Sequence, residues 1–153
     1  RMSDPAPDSQ AKTGGLNIGK LLLSPTRTYA PLLKILLGEE FETIHGIIHC
    51  SGGGQTKCLK YLPSPLRLIK DSLFTPPVIF DIIRQASGSD NREMFQVFNM
   101  GHRLEIFTRE ENAAKMISIA ASLGMEARIV GRVEAAPRKE LIVKFGGEEI
   151  IFT

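Results

Sequence analysis

The residues best suited by type and spacing to do chemistry are His49-Cys50-Ser51-Gly52-Gly53-Gly54. Three consecutive glycines let the backbone turn freely and bring its amides close to a ligand. A predicted helix just beyond adds partial positive charge, so phosphate is the natural guest of such a loop. The pattern is neither GxxxxGK[ST] nor GxGxxG, so it carries no nucleotide assignment. A structural tight turn explains the same three glycines equally well. A second segment, Ser24-Pro25-Thr26-Arg27-Thr28-Tyr29, sets hydroxyls and one arginine ahead of a predicted helix. It can hold a phosphate or carboxylate, although an N-cap beside a solvated arginine is the simpler reading. In Phe98-Asn99-Met100-Gly101, Asn99 and Gly101 read as turn residues. His45 and His49 fall on one side of a predicted strand, and His102 follows the turn. No Asp or Glu stands at metal-site spacing from them, so no metal is assigned. Structural roles suit the strand histidines better than general-base roles. No Ser-His-Asp order or carboxylate pair identifies a catalytic residue.

The elements that must position these residues follow from hydrophobic periodicity. Leu32, Leu33, Leu36 and Leu37 form a helical stripe over residues 29–37, with Pro31 in the first turn and Gly38 as the stop. Residues 44–50 form a short buried strand that runs into the glycines, and residues 55–61 a short helix ended by Pro63. Residues 66–69 make a second strand. Thr75 reads as the N-cap of a helix carrying Val78, Ile79, Ile82 and Ile83, and Asp90 with Glu93 caps another helix reaching about Phe98. Alternation over residues 103–107 predicts a strand with one wet face. Thr108 and Glu111 form a capping box for a helix ending at Gly124, its inward face Ala113, Met116, Ile117, Ala120 and Leu123. Ala127, Ile129, Gly131 and Val133 alternate with charged residues as a further strand. Gly146-Gly147 joins residues 141–145 and 149–152 in a hairpin. Helices and strands are interleaved, which predicts an α+β fold (a mixed α/β sandwich) with about five to seven strands.

Composition narrows the function classes. The 153 residues suffice for one domain with a real core, and 42% hydrophobic with 24% charged residues is ordinary for a globular chain. A net charge of +2 without a Lys/Arg block gives no nucleic-acid footprint. No apolar run approaches a membrane span. Cys50 and Cys58 make no CxxC, so free thiols in a reducing cytoplasm are expected. Residues 1–15 are polar and rich in Pro, Asp, Ser and Gly, and read as a linker or extended arm ahead of a domain over 16–153. The chain begins with Arg1, consistent with a fragment of a longer protein.

The three segments, in this order, resemble the C-terminal half of the aminoimidazole ribonucleotide synthase family, also called phosphoribosylformylglycinamidine cyclo-ligases. Leu22 to Tyr29 matches that family's Leu-Leu-x-Pro-Thr-Arg/Lys-x-Tyr stretch, and His45 to Gly54 its His-Gly-x-x-His-x-x-Gly-Gly-Gly strand and loop. Leu62-Pro63, the Pro76-Pro77-x-x-Phe80 helix start and Phe98-Asn99-Met100-Gly101 complete the register over residues 18–133. Two features depart from the pattern. His102, Arg103 and Glu105 replace small and apolar residues, suggesting a polar outer face on that strand, and residues 137–153 are longer and more hairpin-like than the part that matches the family.

The resemblance implies the fold of that C-terminal domain and a role in purine biosynthesis. The family closes the ring of formylglycinamidine ribonucleotide, using ATP and Mg²⁺ held mainly by an N-terminal domain that this chain lacks. It also implies a homodimer in the full-length enzyme, and inactivity of this domain alone. The substrate-binding residues carried over are Thr26, Arg27, His49, Ser51, Gly52, Gly53, Gly54 and Asn99, as the wall gripping the ribose phosphate. Relatives with the same fold, among them selenophosphate synthetase and thiamine-monophosphate kinase, are alternatives, as is a stand-alone module that binds a phosphate ligand or a protein without turnover.

Overall fold

The computed structural model describes residues 19, 20, 23 and 27–153. The expected arm over 1–15 and the predicted contacts of Ser24, Pro25 and Thr26 lie outside them. Among the described residues the α-helices of three residues or more are α1 (Ala30–Glu39), α2 (Val78–Ser87), α3 (Asn91–Val97) and α4 (Glu110–Ser122). The strands are β1 (Ile44–His49), β2 (Leu66–Lys70), β3 (Leu104–Thr108), β4 (Gly131–Ala135), β5 (Glu140–Phe145) and β6 (Glu148–Phe152). A 3₁₀ helix over Gly54–Lys60 follows the glycine loop.

Strands β1 and β3 pair antiparallel as a ribbon, and β4-β2-β5-β6 form a second sheet in which β2 and β5 are parallel and the other pairs antiparallel. The ribbon lies between two cores because its side chains alternate. Leu104 and Ile106 face Leu32 and Leu36 of α1 and Met116 and Ala120 of α4. Ile48 and Phe107 join the larger core, where Met94 and Phe95 of α3 pack with Leu68, Leu141, Val143, Ile150 and Phe152 of the second sheet. This is the expected mixed α+β sandwich, with six strands among the described residues. Among the described residues no helix is long and apolar enough to cross a membrane.

Local signals held where the local bond was free to form. Asp90 Oδ1 accepts the Glu93 amide at 2.8 Å, and Gly146 and Gly147 close the β5–β6 hairpin with φ of 60° and 83°. Elsewhere a tertiary partner or backbone geometry prevailed. Thr108 makes no capping box. It ends β3, its Oγ1 donates to the Thr43 carbonyl at 2.7 Å, and α4 starts after Arg109. Pro77, not Thr75, precedes α2. Helix α1 runs through Gly38 to Glu39. Of the strand expected over 127–133, ladder pairing starts only at Gly131, opposite Lys70. The wet face expected on β3 is a buried one, with His102 5% and Glu105 6% exposed. Glu105 turns inward, where it pairs with Lys70 of β2 in the other sheet.

Candidate functional site

Strand β1 delivers the chain into the loop, and the three glycines do different jobs there. Gly54 is buried, and a Cβ on it would stand 2.7 Å from the Phe95 carbonyl oxygen and also collide with that of Phe98. Its role is to let the backbone pass against the end of α3. Gly53, at φ 95°, makes the left-handed turn into the 3₁₀ helix. Gly52 has open space where a side chain would be. The Gly54 amide donates to Ser51 O at 3.2 Å and the Thr56 amide to Gly53 O at 3.0 Å. Among the described residues the amides of Gly52 and Gly53 donate to no acceptor. Ser51, Gly52 and Gly53 are exposed, and Lys57, one turn into the helix, donates from Nζ to Ser51 Oγ at 2.9 Å. Two amides without an acceptor among the described residues, a hydroxyl and an ammonium thus lie close in sequence on one exposed turn, donors of the kind an oxyanion takes.

The structure gathers some of the expected site residues and engages others elsewhere. His49 is exposed at the end of β1, its ring 6.1 Å from that of Tyr29. Asn99 forms the turn read from its sequence. Its Oδ1 accepts the Gly101 amide at 2.8 Å, between Met100 at φ 53° and Gly101 at φ 89°. Its carbonyl also accepts Gln55 Nε2 at 2.6 Å, which ties this turn to the residue after Gly54. Arg27 Nη1 donates to Gly124 O at 2.8 Å, satisfying a carbonyl just past α4. Thr26 lies outside the described residues.

Beneath the loop sits a polar cluster that sequence reasoning missed. Lys70, 1% exposed, donates from Nζ to the Gln55 carbonyl and to Gln55 Oε1, each at 2.9 Å, and pairs with Glu105. Gln55 Nε2 donates in turn to Asn99 O and, at 3.1 Å, to His102 O. Removing two ions from water costs several kcal/mol each, and here the return is incomplete, because Glu105 Oε2 is buried without a hydrogen-bond partner among the described residues. Burial holds His102 down at about 4, the Glu105 carboxylate opposing and the Lys70 ammonium reinforcing the shift. Burial likewise pushes the Cys50 thiol up to about 12, with Glu105 adding to it, and raises Cys58. Both cysteines are free and buried, so neither is a ready nucleophile.

Lys57 carried a legible signal, since a lysine four residues beyond a loop glycine returns over the loop once the intervening residues are helical. Lys70, Glu105 and Gln55 carried none, being 15 and 35 residues apart in pairs. The described residues hold no grouping of three or more His, Cys, Asp or Glu side chains that fits a metal ion, so no step is assigned to Mg²⁺ on them.

Residues 6–144 match the family described as "AIR synthase related protein, C-terminal domain". A phosphoribosylformylglycinamidine cyclo-ligase from Methanopyrus kandleri is 34% identical over 137 residues, covering 89% of this chain and 38% of that protein. One from Geobacillus thermodenitrificans is 38% identical over 119 residues, covering 76% of this chain and 34% of that protein. The chain thus spans little more than a third of the length of these relatives. The fold is shared with the E. coli hydrogenase maturation protein HypE, at a TM-score of 0.61 and 17% identity over 90% of this chain and 45% of HypE.

Proposed function

The chain belongs to the AIR synthase related protein C-terminal domain family, and from that premise we propose that it is the C-terminal domain of a phosphoribosylformylglycinamidine cyclo-ligase. The activity is the ATP-dependent ring closure of formylglycinamidine ribonucleotide to aminoimidazole ribonucleotide, a cytoplasmic step of purine biosynthesis. ATP passes its terminal phosphoryl group to the formamide oxygen and leaves as ADP. The ring-forming nitrogen then attacks that carbon, loses a proton, and inorganic phosphate departs. ATP and Mg²⁺ belong to an N-terminal domain, and the assembled enzyme is a homodimer.

This domain contributes the wall of the cleft that grips the ribose phosphate. The observation that supports this role is the exposed loop, with Gly52 and Gly53 amides that meet no acceptor among the described residues and Lys57 Nζ 2.9 Å from Ser51 Oγ. Fixed amides and a cation hold a phosphate in place, so that the reacting atoms at the other end of the substrate meet ATP at a fixed distance. His49 and Asn99 flank the loop and shape its walls. Arg27, engaged with Gly124, takes part through the start of α1 or after releasing that carbonyl.

Calorimetric titration with ribose 5-phosphate tests the reading. Lys57→Met and Gly53→Val are expected to weaken binding about tenfold or more, the worth of a charge-assisted hydrogen bond. Unchanged affinity in both variants overturns the loop assignment.

A further inference from the structure

We propose that Lys70, Gln55 and Glu105 are positioning residues that set the geometry of the Ser51–Gly54 loop from beneath. The proposal rests on the reading of that loop as an anion cradle and adds which buried residues shape it.

The donors of Lys70 and both polar atoms of the Gln55 side chain are engaged, while Glu105 Oε2 is buried without a hydrogen-bond partner among the described residues. An ammonium has three donors, and those of Lys70 have three acceptors: Gln55 O, Gln55 Oε1 and Glu105 Oε1. The Gln55 amide is equally committed, its oxygen to Lys70 and its nitrogen to the carbonyls of Asn99 and His102. Only one orientation of that amide satisfies all three bonds, since a flip would set its NH₂ against the ammonium. Gln55 is fully buried and follows Gly54 directly. Its main-chain carbonyl, fixed by Lys70, belongs to the first turn of the 3₁₀ helix that the loop opens. Gly54 itself is wedged against the carbonyls of Phe95 and Phe98. The loop is therefore clamped on its C-terminal side by β2, β3 and the Asn99–Gly101 turn together, while Ser51 to Gly53 stay exposed.

Stability alone does not account for such a cluster. A buried ion pair replaced by apolar side chains of similar volume commonly leaves a protein as stable or more so, whereas removing one partner is strongly destabilising. What apolar replacements cannot reproduce is the directed set of bonds on Gln55. The pair thus acts on where the peptide after Gly54 sits, and through it on where the Gly52 and Gly53 amides are presented.

The test uses the full chain, ¹⁵N-labelled, with inorganic phosphate as probe. Wild type, the double variant Lys70→Met/Glu105→Leu, and Gln55→Met are compared by {¹H}-¹⁵N NOE at Gly52, Gly53 and Gly54 and by phosphate titration. Gln55→Met keeps the Lys70–Glu105 pair and the main-chain acceptor, so it reports even where the double variant fails to fold. The expected result is lowered NOE values at the loop glycines in both variants and phosphate affinity reduced about tenfold or more, with the double variant still melting cooperatively. Wild-type NOE values and affinity in a folded variant overturn the positioning role. If phosphate fails to shift the Gly52 and Gly53 amides of the wild type, the anion reading falls. The NOE comparison then still decides whether the cluster orders the loop.

Discussion

Lys70 donates to both the main-chain and the side-chain oxygen of Gln55, each at 2.9 Å, so one buried ammonium fixes both ends of the residue that follows the glycine loop. The loop is therefore not merely flexible backbone at a strand end. Its three glycines stand in unlike surroundings, and their substitutions are expected to separate folding from binding.

Gly54→Ala should destabilise the chain by at least about 2 kcal/mol, because the new Cβ meets the Phe95 and Phe98 carbonyls at a positive φ. Gly52→Ala has open space and should leave the melting temperature within a degree or two (about 0.5 kcal/mol). Thermal melts followed by circular dichroism decide this, and equal losses in the two variants would contradict a division of labour among the glycines.

How much of this was legible in the sequence depended on whether a signal was local. Asp90 with Glu93 and Gly146-Gly147 complete their bonds within four residues, and both were readable. The glycine loop was readable as a loop, because only glycines take φ of 95° and 49° in succession at low cost. Thr108 misled because its hydroxyl had a partner 65 residues away in Thr43 O. Glu105 read as part of a wet face because the residue that pairs with it inside, Lys70, lies on another strand. Alternation says which residues share a face, and only the fold says which face is wet.

His102 makes stability depend on pH. Its folded value of about 4 lies below the ordinary 6.5, so its contribution is complete above pH 6.5 and is lost as pH falls towards 4. The loss over that window reaches about 3 kcal/mol. Glu105 and Lys70 face the ring and Phe74 meets its edge, so His102→Leu is the control that leaves the neighbouring charges in place. Urea titrations at pH 7 and pH 5 should show a smaller drop for His102→Leu than for wild type; parallel drops would refute the assignment.

The thiols should be silent until the chain opens. With Cys50 pushed to about 12 and Cys58 also raised, thiolate is scarce in the folded protein at pH 8. Reaction of Cys50 with a chromogenic disulfide reagent is expected to be slower than that of a free thiol by about a thousandfold. Two equivalents should appear on addition of guanidinium chloride. Fast labelling of the folded chain would show that the loop side of the core is open to solvent.

The most direct test of the central claim is turnover of formylglycinamidine ribonucleotide with ATP and Mg²⁺, assayed for this chain alone, for a separately expressed N-terminal cyclo-ligase domain alone, and for the two mixed. Aminoimidazole ribonucleotide is expected from the mixture only, with Lys57→Met and Gly53→Val in this chain depressing the rate. Turnover by the N-terminal domain without this chain, or none from a mixture in which the two domains co-elute as a stable complex, would contradict that claim.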